Sequence, residues 1–356
     1  MTTPPASSPM CSRQPSLPLA VKIYLRLACA LALGAPIFTG PIQAQMAFAD
    51  IASADHALAG NAPAYQALQA GRVEDAAILL RATLATNPSD AVAHQLLCRV
   101  AYAQEQADLA ISQCEQAVAS DPANSDHRLW LGRAYGMKAR HAGPIAGFTL
   151  ARKVQASFAR AVELNPANVP ALNDLGEYDV SAPSIVGGGD DKARALAARM
   201  MPHFPAAAHH LLARIAASDK DLATAESEFK QEVAVQRSPD AWIDLAHFYQ
   251  THERPDDALA AVKSAIAVDR AHDAVMVDAA SILTAAHRDP DLAERCLRAY
   301  LASSAQSDAA PAFKVHLQLS RLLTARGDTA EAHKEIETAS ALAPQFTRGA
   351  RSAKGS

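Results

Sequence analysis

Cys98 and Cys114 lie sixteen residues apart and are placed to form a disulfide if the chain between them folds as a helical hairpin. The two positions are then symmetric about the turn, so their side chains can face each other across the antiparallel helices. A disulfide needs Cα atoms within about 7 Å, whereas the axes of paired helices lie roughly 8–10 Å apart. The sequence therefore leaves two alternatives, a disulfide or two buried thiols that pack as small apolar side chains.

The densest group of metal-ligating side chains contains His203, His209 and His210. Adjacent residues of a helix point to different faces, so His209 and His210 cannot easily bind one metal ion together. The sequence also has no H-E-x-x-H motif and no pair of cysteines at zinc-binding spacing. These observations predict that the chain has no metal site.

The glycine run Gly187–Gly189 does not have the pattern of a phosphate-binding loop. Such a loop continues with Lys and Ser or Thr at the start of a helix, whereas Asp190 and Asp191 would repel a phosphate. Acidic residues at this position suit the start of the next helix instead. With no G-x-S-x-G motif and no recognisable Ser/His/Asp set, the sequence predicts a protein that is not an enzyme and needs no cofactor.

The composition favours closely packed helices. Of 356 residues, 50% are hydrophobic and only 5% are aromatic, and alanine is abundant. Strands prefer aromatic and β-branched residues, so a β-sandwich is disfavoured. A net charge of −4, from 33 basic and 37 acidic residues, provides no basic stripe and predicts no binding to nucleic acid.

The N-terminal segment 1–49 has the layout of a signal peptide with a leader. Lys22 and Arg26 precede the short apolar run 27–38, and the small-residue site Ala47-Phe48-Ala49 follows. We expect cleavage after Ala49, with a cut after Ala44 or an uncleaved membrane anchor as alternatives. The mature chain is predicted to be periplasmic or secreted and to have no stable membrane span, because no later segment is apolar enough.

The remainder of the chain repeats with a period of about 34 residues. In the unit 239–272, Leu245 and Ala246 occur in a first helix, and Ala258 and Ala265 occur in a second. The third and fourth units carry insertions at about 141–150 and 182–189, which we expect to emerge as loops on one edge. The tail 347–356 is predicted to be disordered. The eight units are 57–90, 91–124, 125–168, 169–205, 206–238, 239–272, 273–306 and 313–346.

This pattern resembles the tetratricopeptide repeat family, and the runs at 131–136 (LGRAYG) and 161–166 (AVELNP) resemble uncharacterised exported bacterial members of it. The resemblance implies an all-α fold, a right-handed superhelical solenoid of helix-turn-helix repeats. A single unit cannot bury its apolar face, so neighbouring units must stack.

In proteins of this family the first helices line a concave groove that binds a protein or peptide partner. Arginine and tyrosine are common anchors at such surfaces, and arginine can bind a carboxylate through two hydrogen bonds. The alternative for this face is a solvated helix surface with ordinary charges. The residues expected in the groove are Arg99, Tyr102, Arg133, Asn173, Glu177, Arg214, His247 and Arg321.

The function that follows is an interaction module, an adaptor or scaffold that binds a protein or peptide in its groove. The first alternative is an enzyme or small-ligand binder with a site between the two inserted loops. A closed pocket with converging carboxylates or histidines there would favour that alternative, and exposed loops would count against it. The second is a purely structural or self-assembling unit, and the sequence does not predict the oligomeric state.

Overall fold

The computed structural model describes residues 59–346, and this part of the chain is all-α, with no strand. Consecutive helices pack in pairs, and each of the eight sequence repeats contains one pair. The signal peptide and the C-terminal tail predicted from the sequence lie outside the described residues. Within 59–346, no helix combines the length and the apolar character needed to cross a bilayer.

Sixteen α-helices form the eight pairs, with the odd-numbered helix first in each repeat. The first four pairs are α1 (Ala62–Gln69), α2 (Val73–Thr86), α3 (Ala91–Ala103), α4 (Ala107–Ser120), α5 (Ser125–Ala139), α6 (Pro144–Leu164), α7 (Val169–Ser181) and α8 (Asp190–Met200). The last four pairs are α9 (Pro205–Ser218), α10 (Leu222–Gln236), α11 (Pro239–Thr251), α12 (Pro255–Val268), α13 (Ala274–Ala285), α14 (Pro290–Ala302), α15 (Ala312–Arg326) and α16 (Thr329–Leu342).

The turn inside most repeats contains one residue with a left-handed backbone. Gly71 and Gly327 take this conformation in the first and last repeats, where glycine adopts it without steric cost. Glu105, Lys220 and Glu253 occupy the same place in three other repeats, each with a φ between 56° and 64°. The turn geometry is therefore a property of the repeat, and glycine is not required for it.

Small residues allow the helices to approach closely, as the repeat pattern predicts. A Cβ atom added to Gly132 would lie 2.4 Å from the ring of Phe158, so α5 and α6 touch through a glycine. A Cβ atom on Gly176 would lie 2.8 Å from Leu211 of the next repeat. These contacts connect the repeats into continuous apolar cores.

The insertion at about 141–150 is not the loop that the sequence suggested, because residues 144–150 form the first turns of α6. Proline suits a first helical turn, and Pro144 starts this helix, which extends over 21 residues where α4 has 14. The insertion at 182–189 is irregular and contains a short 3₁₀ helix, Ser184–Val186. It packs against the molecule, with Val186 buried and its carbonyl accepting a 2.8 Å hydrogen bond from the Tyr178 hydroxyl.

The last repeat packs against the first, so the array closes on itself. Phe313 of α15 and Ala339 of α16 belong to the same apolar core as Leu68 of α1 and Leu96 of α3. Polar contacts reinforce this junction, since Lys314 Nζ lies 2.7 Å from a carboxylate oxygen of Glu105. The inner face of the helix array is therefore bounded by the contact between its two ends.

Candidate functional site

The groove pocket is a cavity of about 150 Å³ on the face formed by the first helices α7, α9 and α11. The second helix α10 contributes Phe229, Glu232 and Gln236 to its wall. Four of the residues expected in the groove line it: Asn173, Glu177, Arg214 and His247. Neither inserted segment, 141–150 or 182–189, contributes to this lining.

His210 of α9 lies among three carboxylates at the wall of the groove pocket. Its Nδ1 atom is 3.3 Å from an oxygen of Asp244 and 3.4 Å from Oε2 of Glu232. Its Nε2 atom is 3.7 Å from Oε1 of Glu177. Burial disfavours the imidazolium, but Asp244 and Glu232 outweigh this effect and hold the pKa of His210 well above its usual value.

Glu232 is an unusual residue for its position in the repeat. It is the eleventh residue of α10, and the eleventh residues of α4, α12 and α16 are Ala117, Ala265 and Ala339, each fully buried. Glu232 is only 5% exposed, and its Oε2 atom accepts no hydrogen bond from any residue of 59–346. Burial raises the pKa of this carboxyl group, although the neighbouring His210 opposes the shift.

Glu177 is fixed by Arg214 on the adjacent first helix. The guanidinium donates hydrogen bonds of 2.8 and 3.0 Å to the two carboxylate oxygens. Burial opposes ionisation of Glu177, but Arg214 and His210 outweigh it and lower its pKa to about 2. This ion pair makes Glu177 a permanent anion beside the His210 ring.

A second group of carboxylates extends from the groove pocket toward α13. Burial, together with the neighbouring carboxylates of Asp244 and Asp273, raises the pKa of Asp240 to about 8 and that of Asp278 to about 8. No cation of residues 59–346 lies within ion-pair distance of either side chain. This part of the groove therefore has an excess of acidic groups.

The arginine cluster lies on the first helices α1, α3 and α5. It contains Tyr65, Arg99, Tyr102, Trp130 and Arg133. The Arg99 guanidinium lies between the rings of Tyr65 and Trp130, 5.3 and 5.1 Å from their centroids. Arg133 lies 4.9 Å from the Trp130 centroid, and Tyr102 packs edge-on against Trp130. Three of the residues expected in the groove thus lie together.

Both arginines of this cluster are neutralised by carboxylates of the same chain. Arg99 donates hydrogen bonds of 2.7 and 2.6 Å to Asp308, which lies between α14 and α15. Arg133 donates a 2.6 Å hydrogen bond to Asp174 of α7. The remaining residue expected in the groove, Arg321 of α15, is exposed and is not part of either group.

The three histidines singled out in the sequence have separate environments, and His203 contacts only the ring of its neighbour Phe204 among the aromatic side chains described. His209 Nδ1 pairs with Glu228 at 2.7 Å inside its own repeat, while His210 faces the groove pocket. The pairing of His209 recurs nineteen residues apart in two other repeats, between His94 and Gln113 at 2.8 Å and between His316 and Glu335 at 2.5 Å. His209 therefore has the role of a repeat-packing residue.

Sequence reasoning did not identify His210 in the groove pocket, nor Glu232, Asp240 and Asp244. One signal was present, because position 232 has a glutamate where the second helices of the other repeats have an uncharged residue.

The structure joins Cys98 and Cys114 as a disulfide with Cα atoms 5.3 Å apart. Cys296 is a buried free thiol.

Comparison with known proteins gives the same architecture. A family model described as a tetratricopeptide repeat matches residues 67–128. The structure of yeast Tom70 is similar over 92% of this chain and 68% of that one, with 16% identity and a TM-score of 0.50. A thermophilic TPR protein of Thermus thermophilus aligns over 64% of this chain and 91% of its own, with 23% identity and a TM-score of 0.37. No curated protein sequence matches the chain significantly.

Proposed function

We propose that this chain, a tetratricopeptide-repeat protein, binds a segment of a partner protein in the groove pocket. The fold supports an interaction module in general terms. The specific observation is the cavity on α7, α9 and α11, because Asp240 lines it and, like the neighbouring Asp278, has no cationic partner among residues 59–346. A binding surface of this kind needs polar groups that are available to a ligand.

The chemistry of the groove pocket favours a partner segment with a lysine or arginine side chain. Asp240 and Asp278 are partly buried and repelled by neighbouring carboxylates, so an added cation would relieve both the burial and the repulsion. Three of the four arginines that the sequence suggested as anchors for a carboxylate are already bonded to Asp308, Asp174 and Glu177, and the fourth, Arg321, does not line the groove pocket. The groove is therefore suited to a basic segment rather than an acidic one.

Selection from a displayed library of random peptides tests this function. We expect the wild-type chain to enrich peptides that contain lysine or arginine. The variant Asp240→Asn/Asp278→Asn should bind an enriched peptide at least ten-fold more weakly, because losing even one contact to a charged group costs about 1.5–3 kcal/mol.

Asp256→Asn is the matched control, since Asp256 also lies in the first turn of its helix, α12, but its side chain is 85% exposed. This control should bind the peptide as the wild type does. Enrichment of acidic peptides, or equal affinity in the wild type and the double variant, would show that these carboxylates do not form the binding surface.

We also propose that the protein works in an oxidising compartment, the periplasm or the extracellular space. The Cys98–Cys114 disulfide supports this location, because disulfides persist in oxidising environments and are rare in the cytosol. Mass spectrometry of the protein from its native host, alkylated without reduction, should find these two thiols protected. Fractionation that places the protein in the cytosol with both thiols alkylated would contradict the proposal.

A further inference from the structure

Three side chains that can ligate a metal ion converge from three different helices at the wall of the groove pocket. His210 of α9, Glu232 of α10 and Asp244 of α11 each present one donor atom, and these atoms all lie within 4.8 Å of one another. The Nδ1 atom of His210 is 3.4 Å from the Glu232 oxygen and 3.3 Å from the Asp244 oxygen. Ligands bound tetrahedrally to Zn²⁺ at 2.0–2.2 Å are separated by roughly 3.3–3.5 Å, so these two spacings match those of a coordination shell.

The burial of Glu232 requires a balancing cation, either the imidazolium of His210 or a metal ion bound by both side chains. At the eleventh position of the second helix the other repeats have uncharged side chains, with a fully buried alanine in α4, α12 and α16, so the fold itself does not require a carboxylate there. Burying an ionised carboxylate is costly unless it is paired or coordinates a metal. The Oε2 atom of Glu232 faces His210 without forming a hydrogen bond to any described residue.

The groups around His210 have the arrangement that supports a metal-bound imidazole. The nitrogen that would not bind the metal, Nε2, faces Glu177 at 3.7 Å. Glu177 is itself held by two hydrogen bonds from Arg214. A ligating histidine usually has its second ring nitrogen oriented by a carboxylate in this way.

We propose that His210, Glu232 and Asp244 bind a divalent transition-metal cation, with Zn²⁺ the ion that best suits this donor set. One imidazole nitrogen and two carboxylate oxygens are ligands that Zn²⁺ accepts, and the two carboxylates balance its charge. Three protein ligands leave a fourth position open toward the groove pocket. The site does not depend on the proposed peptide binding, which rests on Asp240 and Asp278 instead.

Calorimetric titration of the full chain, stripped of metal with a chelator, tests the site with Zn²⁺ as the probe. We expect one Zn²⁺ per chain with a micromolar or lower dissociation constant. His210→Asn and Glu232→Ala should each weaken binding on the order of 100-fold, because each removes a direct ligand. Co²⁺ bound in place of Zn²⁺ should give the visible absorption of a four-coordinate ion, and both variants should lose that spectrum.

His209→Asn is the matched control, since it removes the adjacent histidine of the same helix, whose partner is Glu228. It should bind Zn²⁺ as the wild type does. Glu232→Ala is expected to fold, because alanine occupies this position in three other repeats, and its circular dichroism should equal that of the wild type. Asp244→Asn provides a second variant of the site that keeps the side-chain volume.

Two results would overturn the proposal. One is the absence of saturable Zn²⁺ binding by the wild-type chain. The other is binding that survives His210→Asn, Glu232→Ala and Asp244→Asn, which would place the ion elsewhere. In either case His210 pairs directly with the neighbouring carboxylates, without a metal ion between them.

Discussion

The arginine cluster and the groove pocket lie on the same series of first helices, but their charges are arranged differently. In the arginine cluster each cation has a carboxylate from another repeat, as Arg99 has Asp308 and Arg133 has Asp174. Asp240, which lines the groove pocket, and the neighbouring Asp278 have no such partner among residues 59–346. Carboxylates paired within the chain are not available to a ligand, whereas Asp240 and Asp278, which keep a proton up to about pH 8, can release it to bind a cation.

The two regions also differ in what they connect. The Arg99–Asp308 pair joins residues 209 positions apart, one in the second repeat and the other in the segment before the last repeat. The contacts of the groove pocket join neighbouring repeats, as the Arg214–Glu177 pair does between α9 and α7. We therefore expect substitutions in the arginine cluster to affect stability and those in the groove pocket to affect binding.

The largest effect is expected for Asp308→Ala, which leaves Arg99 without its partner. The two side chains are only 16% and 7% exposed, and removing one member of a buried ion pair costs about 3–5 kcal/mol. Urea unfolding followed by circular dichroism should show this loss of stability. Hydrogen exchange should show reduced protection of the amides in the last repeat.

Asp256→Ala is the matched control for Asp308→Ala. Asp256 pairs with Arg288, but its side chain is 85% exposed, so the loss should be below about 1 kcal/mol. Equal losses in the two variants would show that the Arg99–Asp308 pair is no more important than a surface pair.

A smaller effect on the free energy of unfolding, dependent on pH, is expected for Asp240 of the groove pocket and the neighbouring Asp278. In the folded chain the pKa of Asp240 and that of Asp278 are each about 8, against an ordinary value of 3.8. The folded state therefore binds more protons than the unfolded state between about pH 4 and pH 8, and the contribution of these groups to stability falls as pH rises through that range.

The double variant Asp240→Asn/Asp278→Asn removes this dependence. At pH 9 we expect it to be more stable than the wild type by about 1–2 kcal/mol, allowing for solvent screening of partly exposed groups. At pH 4 the two proteins should have similar free energies of unfolding. Parallel curves of unfolding free energy from pH 4 to pH 9 would show that the pKa values of these carboxyls are not raised. The groove pocket and the arginine cluster would then not differ in their electrostatics.

The fold was largely predictable because its determinants are local and repeated. Pairs such as Gly132 with Phe158, and alanines at fixed spacing, recur every 34 residues or so, and each repeat packs mainly on its neighbours. The closure of the array was not predictable, since the contact of Arg99 with Asp308 depends on the curvature accumulated over the intervening repeats.

The candidate site was only partly predictable. The register of the first helices identified Asn173, Glu177, Arg214 and His247 as groove residues, and all four line the groove pocket. It missed the contribution of the second helix α10, because only first helices were expected to line the groove. The sequence did contain a signal, a glutamate at position 232 where the second helices of the other repeats have an uncharged residue.

The smallest effect is expected at Arg321, which belongs to neither region. This side chain is exposed on α15, and exposed substitutions away from buried contacts usually change stability by less than about 0.5 kcal/mol. Arg321→Ala should therefore unfold in urea as the wild type does and should retain the affinity for an enriched basic peptide. If peptide binding changed instead, by ten-fold or more, the binding surface would extend to the last repeat, and the division between a stabilising cluster and a binding pocket would have to be redrawn.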